Sequence, residues 1–388
     1  MLSFLTEENQ AARDTAREFA SSKLRPAAQE IEQSGRLPAE LFRELGRLGL
    51  LGLAVPQDYG GSGGSFLSCA LAMEELSRAS AALALSYGAH AFLCAHNLYA
   101  RGGEAQRRKY LPKLMSGEWI GAFALTEPEA GSDAAALKTR AVRRGDRYIL
   151  NGSKTFITNG SAAQIFLVFA RTQRGSGRGA LSLFIVERDF PGFAVGKDIP
   201  KLGTCGSPLS ELHFSDCEAP AENLLGEEGG ALAYMRRGLD MERAVFSGMA
   251  VGIGQAALDY SLSYAMRRRQ FKRPISSFQL IQEMLAQMAT EIEAARLLTC
   301  QAAWRLDRNM EASKCASFAK LFGAQMVLRA TQWAVQILGG YGFTRECPVE
   351  RFYRDAALSG IGGGTSQIQT LIIAGELIKE ALRETKKP

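Results

Sequence analysis

From about Ile120 to Asn223 the chain loses helical periodicity and changes texture. Short β-prone runs alternate there with turn signals: Tyr148-Ile149-Leu150 before Asn151-Gly152, then Ile165 to Phe169, Leu181 to Val186, and Leu212-His213-Phe214. Strands this short and evenly spaced predict a small barrel or sandwich. Asn-Gly between apolar runs predicts a hairpin turn. On both sides the pattern is helical. Thr6-Glu7-Glu8 combines a capping residue with first-turn acids. Leu41, Leu45 and Leu48 recur at helical spacing, and Phe66 to Arg78 resumes it after a glycine-rich loop from Pro56 to Gly64. Beyond Gly229, the segments Leu258 to Arg268, Phe278 to Leu306 and Ser313 to Leu338 are each long enough for bundle helices, and Thr365-Ser366 caps a last helix to about Leu382. A β island between two helical stretches restricts the chain to an α+β fold in three parts. These are an N-terminal helical domain at residues 1–120, a middle β domain at 121–228 and a C-terminal bundle at 229–388.

The chain's 388 residues suffice for two or three domains, and 46% hydrophobic with 22% charged residues is ordinary for a soluble globular protein. The apolar stretch Ala79 to Leu98 is interrupted by Ser86, Tyr87, His90, His96 and Asn97, too polar to span a bilayer. The net charge is +6, with short runs at Arg107-Arg108-Lys109, Arg143-Arg144 and Arg267-Arg268-Arg269. Such runs are solvated faces, or they attract an anionic ligand or an acidic partner. They lack interleaved aromatic residues, so nucleic-acid binding is not expected. The seven Cys are scattered without a C-x-x-C pair and only three His are present, which argues against a zinc site and fits reduced thiols in the cytoplasm. The start, Met1-Leu2-Ser3-Phe4-Leu5-Thr6-Glu7-Glu8, turns acidic at once and has neither a signal peptide's apolar core nor a transit peptide's Arg-rich bias.

Val251-Gly252-Ile253-Gly254-Gln255-Ala256-Ala257 matches G-x-G-x-x-A, but a helical apolar stripe precedes it instead of a strand. Gly252 and Gly254 therefore read as close helix packing. On the same stripe Leu239, Glu242, Phe246, Met249 and Ile253 share one helix face. A carboxylate on that face is either desolvated and ready to accept a proton or paired with a nearby Arg, Arg237 or Arg243. Leu125 to Asp133 and Phe156 to Gly160 are polar loops following strands, and alone each is ordinary.

Taken together and in order, these segments resemble the acyl-CoA dehydrogenase family over essentially the whole chain. The resemblance rests on Thr126-Glu127-Pro128-Glu129-Ala130-Gly131-Ser132-Asp133 and on the run from Asn151 to Gly160. It continues through Arg268 and Phe271, Gln336-Ile337-Leu338-Gly339-Gly340-Tyr341-Gly342, and Gly364-Thr365-Ser366-Gln367. In detail the chain is similar to the isovaleryl-CoA dehydrogenase branch, through Ser86-Tyr87-Gly88-Ala89-His90, Gly238 to Arg243, Phe278 to Gln282 and the glycine-rich loop Gly360 to Gly364. Many members carry the catalytic Glu directly before Gly-Thr-Ser/Ala-Gln; here that position is Gly363, and Glu242 stands where the isovaleryl branch keeps its base.

The resemblance implies an N-terminal helical domain, a middle β domain and a C-terminal four-helix bundle assembled as a homotetramer. It implies FAD as cofactor and electron-transfer flavoprotein as acceptor. Phe123, Leu125, Thr126, Ser132, Phe156, Ile157 and Thr158 would hold the isoalloxazine; Phe156 stands where the family often has Trp. Arg268, Phe271, Gln279, Gln336, Gly339 and Gly340 would grip the adenine and pyrophosphate end from a neighbouring subunit, with Thr365 and Gln367 closing it at a helix N-terminus. The implied reaction is α,β-dehydrogenation of an acyl thioester to the trans-2-enoyl product. Glu242 would be the base and the backbone N–H of Gly363 the oxyanion donor. Ser132, Asp240, Arg243, Gly362, Gly363 and Gly364 would meet substrate, with Arg243 beside the pantetheine arm. Small residues at Gly362 and Gly363 are expected to leave room for a short branched acyl-CoA. The basic run Ala233-Tyr234-Met235-Arg236-Arg237 keeps open a carboxylated acyl group or an acyl group on a carrier protein. The reading of another class is an inactive member that serves as a binding protein.

Overall fold

The computed structural model describes residues 5–172 and 180–385; the first four residues of the acidic start lie outside them. Seven helices form the N-terminal layer: α1 (Glu7–Phe19), α2 (Arg25–Ser34), α3 (Ala39–Arg47), α4 (Phe66–Ala79), α5 (Ala81–Gly88), α6 (Asn97–Arg101) and α7 (Glu104–Met115). Thr6 caps α1, accepting from the Asn9 N–H at 3.2 Å while the Asn9 side chain accepts from the Thr6 N–H at 3.2 Å. A π-helical stretch, Ala89–His96, joins α5 to α6.

The β domain comprises β1 (Gly121–Ala124), β2 (Arg140–Arg144), β3 (Arg147–Thr158), β4 (Ile165–Arg171), β5 (Leu181–Glu187), β6 (Phe193–Asp198) and β7 (Leu209–Pro220). All belong to one curled sheet, ordered β1-β4-β2-β3-β7-β6 with β5 on β4. Alternation along β4 and β5 explains the curl's two apolar faces. Phe166, Val168, Phe184 and Val186 pack inside with Leu212 and Phe214. Ile165, Leu167, Leu183 and Ile185 face Tyr110, Leu111 and Leu114 of α7. The expected Asn151-Gly152 hairpin is absent. That pair lies within β3, at a register shift between Leu150 and Gly152 where Gly152 takes φ +144°. The β2–β3 turn is instead at Gly145-Asp146, with Gly145 at φ +64°. Asn-Gly here serves a bulge, which also demands a glycine geometry.

The C-terminal part contains α8 (Ala231–Arg267), α9 (Gln279–Asp307), α10 (Ser313–Leu338), α11 (Val349–Ala356) and α12 (Ser366–Glu384). The long helix α8, 37 residues, packs between α4, α9 and α10. Its glycines permit this. A Cβ at Gly248 would fall 2.5 Å from the Ala70 carbonyl, and one at Gly252 would strike Glu74 and Ser77. The G-x-G-x-x-A match is thus a packing seam. None of the described helices is long and apolar enough to cross a membrane.

The β domain is keyed to the helices by polar contacts. The Gly121 N–H donates to His90 Nδ1 at 3.0 Å, which leaves Nε2–H to donate to the Leu114 carbonyl at 3.0 Å. The imidazole is therefore neutral, and burial lowers its pKa to about 4. The unfolded state then binds more protons between about pH 6.5 and 4, so stability present above 6.5 is lost as pH falls towards 4. We expect this residue alone to contribute a slope of about 1.4 kcal/mol per pH unit across that window. Urea unfolding at pH 7 and pH 5 should show a smaller pH difference in His90→Gln than in the natural chain; equal differences would refute the assignment.

Candidate active site

Glu242 sits in the middle of the buried face of α8, as its periodicity predicts, and is 8% exposed. Its carboxylate has no hydrogen bond or ion pair among the described residues. The alternative of a Glu–Arg pair fails because Arg243 is engaged elsewhere. Its Nη1 bonds Asp240 Oδ1 at 2.9 Å, and its Nε donates to the Gly363 carbonyl at 3.2 Å. Arg237 donates to Asn309 at 3.4 Å. Burial raises the Glu242 pKa, while the charges of Arg243 and Lys320 oppose the rise. A desolvated, unpaired carboxylate of raised pKa is suited to accepting a proton near neutrality.

Gly363 lies directly opposite. It adopts φ +68°, and a Cβ built there would stand 2.9 Å from Glu242 Oε1. The carboxylate thus occupies the space that a side chain at 363 would need. The room expected beside Gly363 is filled by Glu242 itself, and at Gly362 a Cβ would touch Leu358 at 3.4 Å. The Gly363 N–H has no partner among the described residues. The loop is held by its carbonyls: Gln369, fully buried on α12, donates to the Gly364 carbonyl at 3.0 Å, and Lys320 on α10 donates to the Ser359 carbonyl. Lys320 and Gln369 were not legible in the sequence, because each acts on a loop distant in the chain. For Lys320, a lysine on an otherwise buried helix face was the available signal. Asp240, besides Arg243, accepts from Ser313 at 3.2 Å.

A second group of predicted residues gathers on the β domain. A buried ion pair joins the two most specific motifs: Lys154 Nζ lies 2.8 Å from Glu127 Oε1 and 3.1 Å from the Leu125 carbonyl. The Thr155 N–H bonds the Thr126 carbonyl at 3.0 Å. Beyond Lys154 a register shift in β3 turns Phe156 outward, 59% exposed at φ +57°. That conformation is strained for an aromatic residue. Asn159 fixes the strand end, donating to the Ser86 carbonyl at 2.9 Å and to that of Gly121 at 3.3 Å. Ile157 is buried, and Phe123 packs edge-on to Phe169 at 5.1 Å between ring centres. The Thr126 N–H and the Thr158 hydroxyl lack partners among the described residues, and Ser132 is exposed.

A third group lines a pocket of about 670 Å³ that includes Arg268, Phe271, Gly339 and Gly340. Phe271 is 88% exposed at φ +48°. Gln279 and Gln336 are exposed nearby in sequence but do not line it. Thr365 caps α12 by accepting from the Ile368 N–H at 3.2 Å, and Gln367 is exposed in the first turn. An exposed ring beside free donors on one surface, and an aromatic pocket lined by Arg268 and Glu346 on another, fit a flavin ring and its nucleotide tail.

A buried carboxylate without a direct partner thus lies against a loop whose Gly363 N–H is unused among the described residues. Comparison with known proteins identifies the family. Models of the acyl-CoA dehydrogenase N-terminal, middle and C-terminal domains match residues 6–118, 122–217 and 229–378, and the chain belongs to this family. It is 45% identical to a probable acyl-CoA dehydrogenase of Bacillus subtilis, over 97% of this chain and 99% of that one. It is 42% identical to the mitochondrial isovaleryl-CoA dehydrogenase of Pongo abelii, over 95% and 88%. The solved butyryl-CoA dehydrogenase of Megasphaera elsdenii superposes with a TM-score of 0.95 at 41% identity, covering 97% of this chain and 100% of that one. The protein is an oxidoreductase of the acyl-CoA dehydrogenase type, with FAD as its cofactor.

Gly363→Ala should both strain the backbone, by about 1 kcal/mol, and press a methyl group on the Glu242 carboxylate. The expected outcome is at least ~10-fold slower flavin reduction, with Gly363→Glu worse because two carboxylates would share one space. Rapid-mixing measurement of flavin bleaching checks this; an Ala variant as fast as the natural chain would show that the loop yields.

Proposed function

We propose that the protein dehydrogenates a short branched-chain acyl-CoA of the isovaleryl type at its α,β bond. The carrying observation is the unpaired Glu242 carboxylate, delivered from α8 into the space a side chain at 363 would fill. The same placement of the base is what the resemblance links to the isovaleryl branch. Glu242 takes the α-proton of the thioester. The Gly363 N–H donates to the thioester oxygen, where negative charge develops as the proton leaves. Phe156 and Thr158 orient the flavin ring, and FAD when bound supplies the hydride acceptor for the β-hydrogen. Arg243, held by Asp240, fixes the loop that presents this donor and lies where the resemblance puts the pantetheine arm.

Electron-transfer flavoprotein is the acceptor this reading takes. We further propose a homotetramer. Leu371, Leu377, Ile378 and Leu382 leave an exposed apolar face on α12, and the pocket around Phe271 lies apart from the β-domain residues, as expected if a neighbouring subunit completes it.

Glu242→Gln should retain FAD and thioester binding but slow flavin reduction at least ~10²-fold, the low end for a positioned base. Mixing the natural enzyme without oxygen against isovaleryl, isobutyryl, 2-methylbutyryl, butyryl and glutaryl thioesters, as CoA and as carrier-protein conjugates, ranks the substrates. Faster bleaching by isovaleryl-CoA than by butyryl-CoA is expected. Preference for glutaryl or carrier-bound thioesters would overturn the substrate assignment, and rapid reduction of the Gln variant would overturn the base.

A further inference from the structure

The base has one buried cationic neighbour that the reaction as described does not use. Lys320 lies on α10 and is 8% exposed. It has no carboxylate within ion-pair distance among the described residues. Its ammonium donates to the Ser359 carbonyl, in the turn Ala357–Gly360 that leads into the Gly363 loop. A buried ammonium with a single carbonyl partner is costly to keep unless its charge serves something. The one carboxylate whose field acts on it is Glu242.

The charged groups acting on Glu242 are few. Arg243 on the same helix acts on it while its guanidinium is bonded to Asp240. The loop from Ala357 to Gly364 and Gln369 of α12 contain no titratable side chain. Lys320, bonded to the turn that leads into the loop against which Glu242 lies, is the cation from a different element whose charge acts on the carboxylate. Burial lowers the Lys320 pKa to about 8, with the charge of Glu242 opposing the fall, so near pH 7 the ammonium remains protonated.

We propose that Lys320 is a positioning residue with two roles: its charge keeps the buried Glu242 ionised, and its hydrogen bond straps the turn that presents the Gly363 N–H. The inference rests on Glu242 being the base. An ionised base is needed before substrate is deprotonated, and an opposite charge in a water-poor setting favours the ionised form. Loss of the cation raises the proton affinity of Glu242, so the acid limb of the rate–pH profile moves to higher pH. At high pH the carboxylate is ionised in any case, and rates converge.

The test uses the FAD-loaded enzyme and its best thioester from the substrate panel, with flavin reduction followed from pH 6 to 9. Lys320→Gln retains a donor for the Ser359 carbonyl but removes the charge; Lys320→Met removes both; Lys320→Arg keeps the charge. We expect the acid limb of the Gln variant to rise by about one pH unit, giving ~10-fold slower reduction near pH 7 that recovers towards pH 9. The Met variant should show this shift plus a pH-independent loss from the slackened loop, and the Arg variant should stay within ~3-fold of the natural enzyme. An infrared titration of the carboxyl band missing in Glu242→Gln should move by the same amount without substrate. An unmoved acid limb in the Gln variant, or an equal loss at every pH, would overturn the charge role; an undiminished rate of the Met variant at pH 9 would overturn the strap. If Glu242→Gln itself reduces flavin normally, the base assignment has failed. If that variant is inactive while Lys320→Gln behaves as the natural enzyme, only the present inference has failed.

Discussion

The site depends on a carboxylate that is buried without a partner. A charged group taken out of water costs several kcal/mol unless paired, and here direct pairing is prevented while the charges of Arg243 and Lys320 offset part of the cost. Here the prevention is specific. Asp240, one turn before Arg243 on α8, captures that guanidinium at helical spacing. The Gly363 carbonyl accepts its Nε. Glu242, between them in sequence, is left facing the loop. Its raised proton affinity follows from the same arrangement that empties its coordination.

Position 363 and position 242 are consequently one choice. The backbone at Gly363 is left-handed, and a Cβ there would stand 2.9 Å from Glu242 Oε1, so a side chain at 363 would have to displace the carboxylate. On the proposed reading, the loop position without a carboxylate is complemented by Glu242 on the helix. What the loop retains is its backbone, and backbone is all that an oxyanion donor requires.

The sequence carried the three-part fold because helical and strand periodicities change abruptly near residues 120 and 229, and because Thr6 and Thr365 cap the helices their spacing announces. The Glu242 stripe was legible for the same reason: five residues on one helix face are a local fact. The choice between a paired and an unpaired Glu242 was not, since Arg243 has two acidic neighbours in reach and only the loop's approach decides between them. Asn151-Gly152 misled because a bulge inside β3 and a hairpin turn ask for the same small, flexible pair. Lys320 and Gln369 stayed silent because their partners, Ser359 and the Gly363 and Gly364 carbonyls, are set by how α10 and α12 pack against a loop, which periodicity does not encode.

The division of labour between domains follows from stiffness. The base rides on α8, a helix packed on three sides and approached by α4 at Gly248 and Gly252 closely enough that side chains there would collide with backbone. The flavin-facing strand is instead fixed at two points: the Lys154–Glu127 pair behind Phe156, and the Asn159 amide beyond it, which reaches Ser86 of α5 and Gly121 of β1. Between those anchors the backbone enters a conformation that only an over-determined setting sustains. A third link crosses from Thr204, before β7, to buried Asp355 at the end of α11, just ahead of the loop that carries Gly363. The β domain is therefore tied both to the helix layer beneath the Phe156 strand and to the segment that leads into the Gly363 loop. Relative motion of α8, the Gly363 loop and the Phe156 strand would break these buried polar contacts, so the groups that the proposed reaction needs are held in one frame.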